Sequence, residues 1–270
     1  MDRAKLSLDE IKDLQLDILI AVADFCEKYN IKYFLAYGTL LGAIRHKGYI
    51  PWDDDIDIVM PRQDYNKFIG IFNLKMTDTY YKAITPIEGN HSHLTIADTR
   101  TYIKSVVYKD KRNFGCFRTI DIFPLDGVPE DPIKYKEWYQ ELYNVYYGFY
   151  RKQQAFSGGL RERISLLKSK LKNHAYLPKS SFIKKSEKLH GQYLYENCQY
   201  VGAIESISNS QRNKFKKEWY DDYVLVDFEG HKFRAPKNYH EILYSLYGNY
   251  MEFPPVDQQV FLHYEDVYWR

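Results

Sequence analysis

The chain has 270 residues, enough for one large domain or two small ones, and its formal charge of +2 excludes a surface that is strongly acidic or basic overall. No stretch of about 18 uninterrupted apolar residues occurs, which excludes a spanning helix, and Asp9, Glu10, Asp13 and Asp17 interrupt the N-terminal apolar pattern, so it is not read as a secretory signal. Cys26, Cys116 and Cys198 lie far apart without a CxxC pair, which points away from a disulfide framework or a zinc site and towards buried, reduced thiols in a cytoplasmic protein.

Ser7 and Glu10 have the spacing of a capping box. The apolar residues Leu8, Ile11, Leu14, Ile18, Leu19, Val22 and Phe25 repeat at helical intervals, so 7–29 is predicted as an amphipathic helix. KYFLAY reads as a buried strand ending at Gly38, and TLLGAIRH as a short helix that opens after that glycine. The loop KGYIPWDD then leads into DIDIVM, whose charged and apolar residues alternate as in a strand, stopped by Pro61. A helix is predicted over 63–72, and strands over 80–84, 94–97, 103–108 and 119–123. From Ile133 the chain turns helical, tyrosine-rich and basic. The expected fold class is α+β: a catalytic core in residues 1–130, built on a mixed β-sheet flanked by helices, and a mainly helical substrate or acceptor region in 131–270 packed on that core. There is no internal repeat.

Between Arg151 and Lys188, bases such as Arg161, Arg163, Lys168, Lys170 and Lys172 are opposed only by Glu162 and Glu187. This run reads either as a solvated helical face or as a surface resting on anionic lipid head groups or a polyanionic acceptor. No sequence-reading module is visible, so a nucleic-acid partner is not expected. The 27 tyrosines exceed what a core of this size needs, and some are expected to line a binding surface.

The densest chemical signal is GYIPWDDDIDIVMP. Residues two apart on a strand share a face, so Asp55 and Asp57 point together while Ile56 and Ile58 enter the core. Their backbones lie roughly 6.6 Å apart, close enough for both carboxylates to converge on a divalent cation that relieves their repulsion. Oxygen ligands favour Mg²⁺, with Mn²⁺ the alternative, over zinc. Asp53 and Asp54 are explained as decoration of an exposed strand end. Upstream, YGTLLGAIRHKG supplies the complementary half of a phosphate site: Gly38 permits close approach of a ligand, Thr39 offers a hydroxyl at the helix start, and Arg45, His46 and Lys47 bring positive charge.

These residues carry a resemblance. YGTLLGAIRHKGYIPWDDDIDI resembles the LicD family of phosphocholine transferases, in the nucleotidyltransferase superfamily, and the later stretch FEGHKFRAPKNYHEILYSLYGNYMEFPP resembles the family's closing pattern. The resemblance implies a nucleotidyltransferase-like sheet whose pattern is a glycine with serine or threonine, an Asp-hydrophobic-Asp strand and a third carboxylate on a neighbouring strand. Gly38, Thr39, Asp55 and Asp57 match the first parts, and Asp121 in RTIDIFPLDG matches the third. Of the other candidates, Asp98 follows an apolar stretch and Asp126 looks like a turn residue, whereas Asp121 sits between Ile120 and Ile122. Pro236 suits a helix start, Tyr239, Leu243 and Tyr247 form an apolar stripe, and Gly248 suits the C-terminal cap.

If the resemblance holds, the reaction is transfer of phosphocholine from CDP-choline to a sugar hydroxyl of a cell-surface glycan precursor, of teichoic acid or lipopolysaccharide type, with release of CMP. Asp55, Asp57 and Asp121 are then the metal ligands and catalytic carboxylates, and the acceptor is a glycan or lipid-linked glycan met at the inner membrane face. Choline's quaternary ammonium calls for aromatic faces. Trp52 is either such a wall or a loop anchor, and Tyr247 and Tyr250 are suited to wall the cleft, though packing explains them too. Related families use other donors, so CDP-ribitol or a nucleoside triphosphate is the alternative, and a noncatalytic phospho-ligand module is a third reading, disfavoured because all three carboxylate positions are filled. His91 and His93 read as a polar loop, and His263 as a packed histidine.

Overall fold

The first helix, α1 (Leu8–Lys28), forms where the sequence directs it. Ser7 Oγ accepts the Glu10 N–H at 3.3 Å, and the Glu10 carboxylate accepts the Ser7 N–H at 2.7 Å, closing the capping box. Its buried stripe of Ile11, Leu14, Ile18, Leu19, Val22 and Phe25 is the one the periodicity predicts. The structure is a computed structural model that describes residues 4–89, 92–103, 117–154, 179–203, 213–260 and 266–270.

After α1 the order is β1 (Phe34–Leu35), α2 (Tyr37–Arg45), β2 (Asp57–Pro61), α3 (Arg62–Lys75), β3 (Tyr81–Ile84), β4 (Leu94–Asp98), β5 (Thr101–Ile103) and β6 (Thr119–Gly127). The helix α2 begins two residues earlier than expected, so Gly38 lies inside its first turn rather than ahead of it. Of the strand predicted over 103–108, Ile103 belongs to β5, and 104–108 lies outside the described residues. The sheet runs β1-β2-β6-β4-β3, with β2 and β6 parallel and the other pairs antiparallel.

Alternation gives the sheet two faces. Ile58, Met60, Ile120 and Ile122 belong to one, covered by α1 and α3, whose Phe25 and Phe68 rings meet edge-on with centroids 5.4 Å apart. Asp57, Val59, Asp121, Phe123 and Leu125 belong to the other. There, Val59 and Leu125 share a small interior void with Leu40, Phe215 and Ile242, which leaves the strand starts bearing Asp57 and Asp121 at the end of that face.

Beyond residue 131 come α4 (Pro132–Gln154), α5 (Lys179–His190), β7 (Tyr200–Gly202), β8 (Phe215–Lys216), β9 (Tyr223–Phe228), β10 (His231–Pro236), α6 (Tyr239–Tyr247) and β11 (Val267–Trp269). Among the described residues of this region, five short strands accompany the expected helices. β7 pairs with the end of β6 and with β8, extending the central sheet, and β11 pairs with β5. One core runs from Leu6 to Val267, while α4 and α5 form a satellite core around Trp138, Leu142, Tyr146, Phe182 and Leu189. Pro236 closes β10 instead of opening a helix, because Asn238 takes the cap position of α6; Gly248, at φ +69°, caps its end as expected. Most of the basic run, 155–178, and residues Cys116, His91 and His263 lie outside the described residues.

Candidate functional site

The site is assembled by strand register. Asp57 at the start of β2 is the direct neighbour of Asp121 on β6, and the Asp121 N–H donates to the Ile56 carbonyl at 2.9 Å, locking the two strands at that point. Asp55 lies two residues before Asp57 on the same face, with Ile56 and Ile58 fully buried as alternation requires. Thr39 accounts for the entry of the chain into β2: its buried hydroxyl accepts the Asp57 N–H at 2.8 Å, and the Ala36 N–H donates to the Asp57 carbonyl at 3.0 Å. Thr39 therefore fixes the carboxylate strand to α2 from the side on which a phosphate was expected.

Asp53, dismissed as decoration, belongs to the cluster. Its carboxylate is pushed up to about 8, chiefly by burial and then by the charge of Asp55, with which its side chain hydrogen-bonds. Its Oδ2 lies against Gly38, where an added Cβ would stand 2.5 Å from it. The close approach that Gly38 permits is thus made by Asp53. Asp57 is raised well above the ordinary carboxylate range by burial and by the charges of Asp55, Asp121 and Asp53. Four carboxylates therefore bear on one another at the end of the sheet. Asp54, by contrast, is buried and turned away, with its carboxylate 3.6 Å from the guanidinium of buried Arg118, which also donates to the Asp54 carbonyl.

His93 is the second residue the sequence reading missed. Thr95 of β4 lies opposite Asp121, so His93, two residues earlier, shares its face, and its Nε2 stands 3.1 Å from Asp121 Oδ2. The ring packs against Phe123 with centroids 4.5 Å apart. Nothing local in HSHLTIAD reveals this; the signal is the pairing of β4 with β6, which brings together residues far apart in sequence. The other third-carboxylate candidates have structural partners. Asp98 is fully buried and bonded to Arg100 at 2.6 Å, and Asp126 takes Arg62 at 2.6 and 2.5 Å and His190 at 2.9 Å.

The expected phosphate-binding cations are differently employed. Arg45 donates to the carbonyls of Tyr250 at 2.8 Å and Glu252 at 3.1 Å, and stacks 4.9 Å over the Phe253 ring. His46 is lowered by burial and by the Arg45 charge, and its ring lies 6.2 and 5.4 Å from those of Trp52 and Phe253. Lys47 is exposed, in a left-handed conformation at φ +62°. Trp52 and Phe253 thus form an aromatic group beside the carboxylate loop, with Phe253 itself 58 % exposed. Tyr247 is 42 % exposed, and desolvation followed by the charges of Asp57, Asp53 and Asp55 pushes its hydroxyl above the ordinary tyrosine range. Tyr250 is not a cleft wall: its ring is buried, and its hydroxyl meets His240 Nδ1 at 3.0 Å.

The donor set is oxygen-only and crowded with negative charge, which suits a hard divalent cation. With Asp53 and Asp55 bonded to each other, no three acidic, imidazole or thiol side chains among the described residues surround one point as metal ligands would.

Aligned with known proteins, the chain is 33% identical over 275 residues to the lipopolysaccharide cholinephosphotransferase LicD of Haemophilus influenzae, covering 98% of both chains. The chain belongs to the LicD family of transferases. A family model described as LicD/FKTN/FKRP, nucleotidyltransferase domain, matches residues 30–136, a span that holds α2, the aspartate loop, β2 and β6, and hence all four clustered carboxylates. An uncharacterized protein of Rickettsia prowazekii is 30% identical over 132 residues, 41% of this chain and 50% of its own. Beyond that span, a C-terminal segment meets it where Tyr250 and Phe253 contact Arg45 and where Tyr247 faces the aspartates.

Proposed function

We propose that this protein transfers phosphocholine from CDP-choline to a sugar hydroxyl of a cell-surface glycan precursor, of lipopolysaccharide or teichoic acid type, releasing CMP. The observation that carries the reading is the side-by-side register of Asp57 and Asp121 with Asp55 on the same face. The name of the Haemophilus influenzae relative, a lipopolysaccharide cholinephosphotransferase aligned over 98% of this chain, supports the transferred group and the glycan acceptor. The matching family model's description supports a nucleotidyltransferase-like core.

In this reading Asp55, Asp57 and Asp121 would hold Mg²⁺, or Mn²⁺, with Asp53 beside them. Bound there, the cation supplies charge neutralisation for the donor's diphosphate. The acceptor oxygen attacks the choline-bearing phosphorus, the hydroxyl proton passes to Asp121, and the bond from that phosphorus to the oxygen retained by CMP breaks. His93 fixes one oxygen of Asp121 and so orients the other. Tyr247, held protonated, presents a hydrogen-bond donor to this negative site. Trp52, with the face of Phe253 that Arg45 does not cover, offers a π surface to the quaternary ammonium, which has no hydrogen to donate. The enzyme works in the cytoplasm or peripherally at the inner membrane face, a reading compatible with no helix among the described residues being long and apolar enough to cross a membrane.

Phosphorus NMR of the purified protein with Mg²⁺, CDP-choline and a glycolipid acceptor extract tests this directly. CMP together with a new choline phosphodiester, both absent with Asp55→Asn or with chelator, is the expected result. Consumption of CDP-ribitol or a nucleoside triphosphate in place of CDP-choline would move the donor assignment.

A further inference from the structure

A second cavity, of about 760 Å³, lies away from the carboxylate cluster, between α3 and α5 at the far end of β6. Asp121 and Asp126 are five residues apart on that strand, so they are separated by roughly 17 Å and point to opposite faces. Asp126 forms part of the cavity wall, and burial alone would raise it. The charge of His190 and the bonds and charge of Arg62 outweigh that and hold it down to about 2. Tyr146 hydroxyl meets His190 Nε2 at 3.1 Å, so Tyr146, His190, Asp126 and Arg62 form one continuous polar chain along the wall.

We propose that this cavity binds a neutral oligosaccharide, the remote sugars of the glycan acceptor; the identification of those sugars as the acceptor's rests on the proposed function. Three observations select this chemistry. Arg62 and His190 are both matched to Asp126, and the other charged residues of the lining, Glu187 and Glu196, are acidic, which disfavours a phosphate or other anion. Arg62 lies 5.1 Å over the Tyr65 ring, which disfavours a cation on that face. Gln63 and Asn66 of α3, Ser92 before β4 and Ser186 of α5 make the lining polar on opposite sides, which suits an acyl chain poorly. A polyol with apolar C–H faces is matched by the remaining combination: tyrosine rings such as Tyr193 and Tyr195 to stack on, and amide, hydroxyl and carboxylate groups to bond its hydroxyls. The volume falls within the range of about 300–1,000 Å³ typical of ligand sites. Binding energy gathered by remote sugars would hold the acceptor for reaction elsewhere on the molecule.

The test uses the full chain and two probes, lipid-free oligosaccharide released from lipopolysaccharide by mild acid and the intact lipopolysaccharide. Binding is followed by saturation-transfer NMR and calorimetry. Asn66→Trp fills the cavity from its exposed α3 wall, and Ser186→Trp fills it from α5. Wild type and Asp57→Asn are expected to bind the free oligosaccharide equally, and either filled variant to weaken it at least tenfold. Unchanged binding in a folded Asn66→Trp protein would overturn the proposal, as would binding of intact lipopolysaccharide alone, which would identify an acyl site. Failure of the proposed function reads out separately, as wild-type protein that leaves CDP-choline unconsumed while the oligosaccharide still binds.

Discussion

Crowding four carboxylates at one strand end costs the metal-free protein stability, and Asp57→Asn measures how much. Asp57 faces Asp121 across one strand spacing of about 4.8 Å and Asp55 along the strand at roughly 6.6 Å. A like charge at about 6 Å costs about 3 kcal/mol at an effective dielectric of about 20. The cluster blunts this by holding protons: Asp57 is raised well above the usual range, and Asp53 is raised to about 8. A net stabilisation of ~2 kcal/mol is therefore expected on replacing Asp57 by its neutral isostere, which at this chain size raises Tm by ~4–8 °C. The same clustering gives a sign to the pH response. The folded protein holds the Asp53 proton more tightly than the unfolded chain does, so metal-free wild type should lose stability as pH rises from the ordinary carboxylate range towards about 8. Thermal unfolding in chelator and in millimolar Mg²⁺, with turnover measured in parallel, reads out both sides. Mg²⁺ at a hundredfold excess over its Kd should stabilise wild type by about 2.7 kcal/mol and the variant by much less, and the variant should not turn over. A lower Tm for Asp57→Asn in chelator would show that the carboxylates do not repel one another, and near-normal turnover would remove Asp57 from the catalytic set.

The remaining predictions test the supports of the site. His93→Ala should lower kcat by about 10–100-fold while leaving KM for the donor close to wild type, because His93 orients Asp121 without reaching the diphosphate; an equal rise in KM would argue for direct contact. For Asp126 the folded protein binds the proton more weakly than the unfolded chain, so about 2 kcal/mol of stability is present above the ordinary carboxylate value of 3.8 and lost as pH falls to about 2. Urea titrations should show that loss in wild type and not in Asp126→Asn, itself destabilised by about 3 kcal/mol because the half-buried Arg62 guanidinium loses its carboxylate partner. Gly42→Ala would place its Cβ 2.4 Å from the Gly48 carbonyl and 3.3 Å from the Ile50 N, costing about 1–3 kcal/mol and shifting the aspartate loop.

Local rules made α1 and β2 legible, because capping spacing, helical period and strand alternation are written in neighbouring residues, whereas Asp121 was marked through the family resemblance and stands beside Asp57 by the pairing of β2 with β6. The rest depends on pairings that no local window contains. Three consecutive aspartates look alike in sequence, yet the loop turns Asp53 towards Gly38 and Asp55 and buries Asp54 against Arg118. His93 becomes a partner of Asp121 only once β4 is laid antiparallel on β6. The strands β7 and β8 were hidden because Tyr200–Gly202 and Phe215–Lys216 are too short to show a period of two.

Arg45 shows how far the site depends on residues distant in sequence. Two carbonyls from Tyr250 and Glu252 and the Phe253 ring hold its guanidinium, while the nearby loop is fastened from another quarter: Glu229, in the β9–β10 turn, accepts the Tyr49 N–H at 2.9 Å and donates its own N–H to the Lys47 carbonyl. Residues 45–49 are thus clamped on both sides, and the clamp sets where Trp52 and Asp53 begin. Two roles for Arg45 make different predictions. A phosphate ligand replaced by methionine would raise the Kd for CDP-choline, with a weaker salt dependence and little change in unfolding. A clamp replaced by methionine would lower stability by about 1–3 kcal/mol, through the unmet carbonyls and the lost ring contact, and would release Phe253. The geometry supports the clamp, so calorimetric CDP-choline binding close to wild type in a measurably destabilised Arg45→Met protein is the expected outcome; a large loss of affinity at unchanged stability would restore Arg45 to the phosphates.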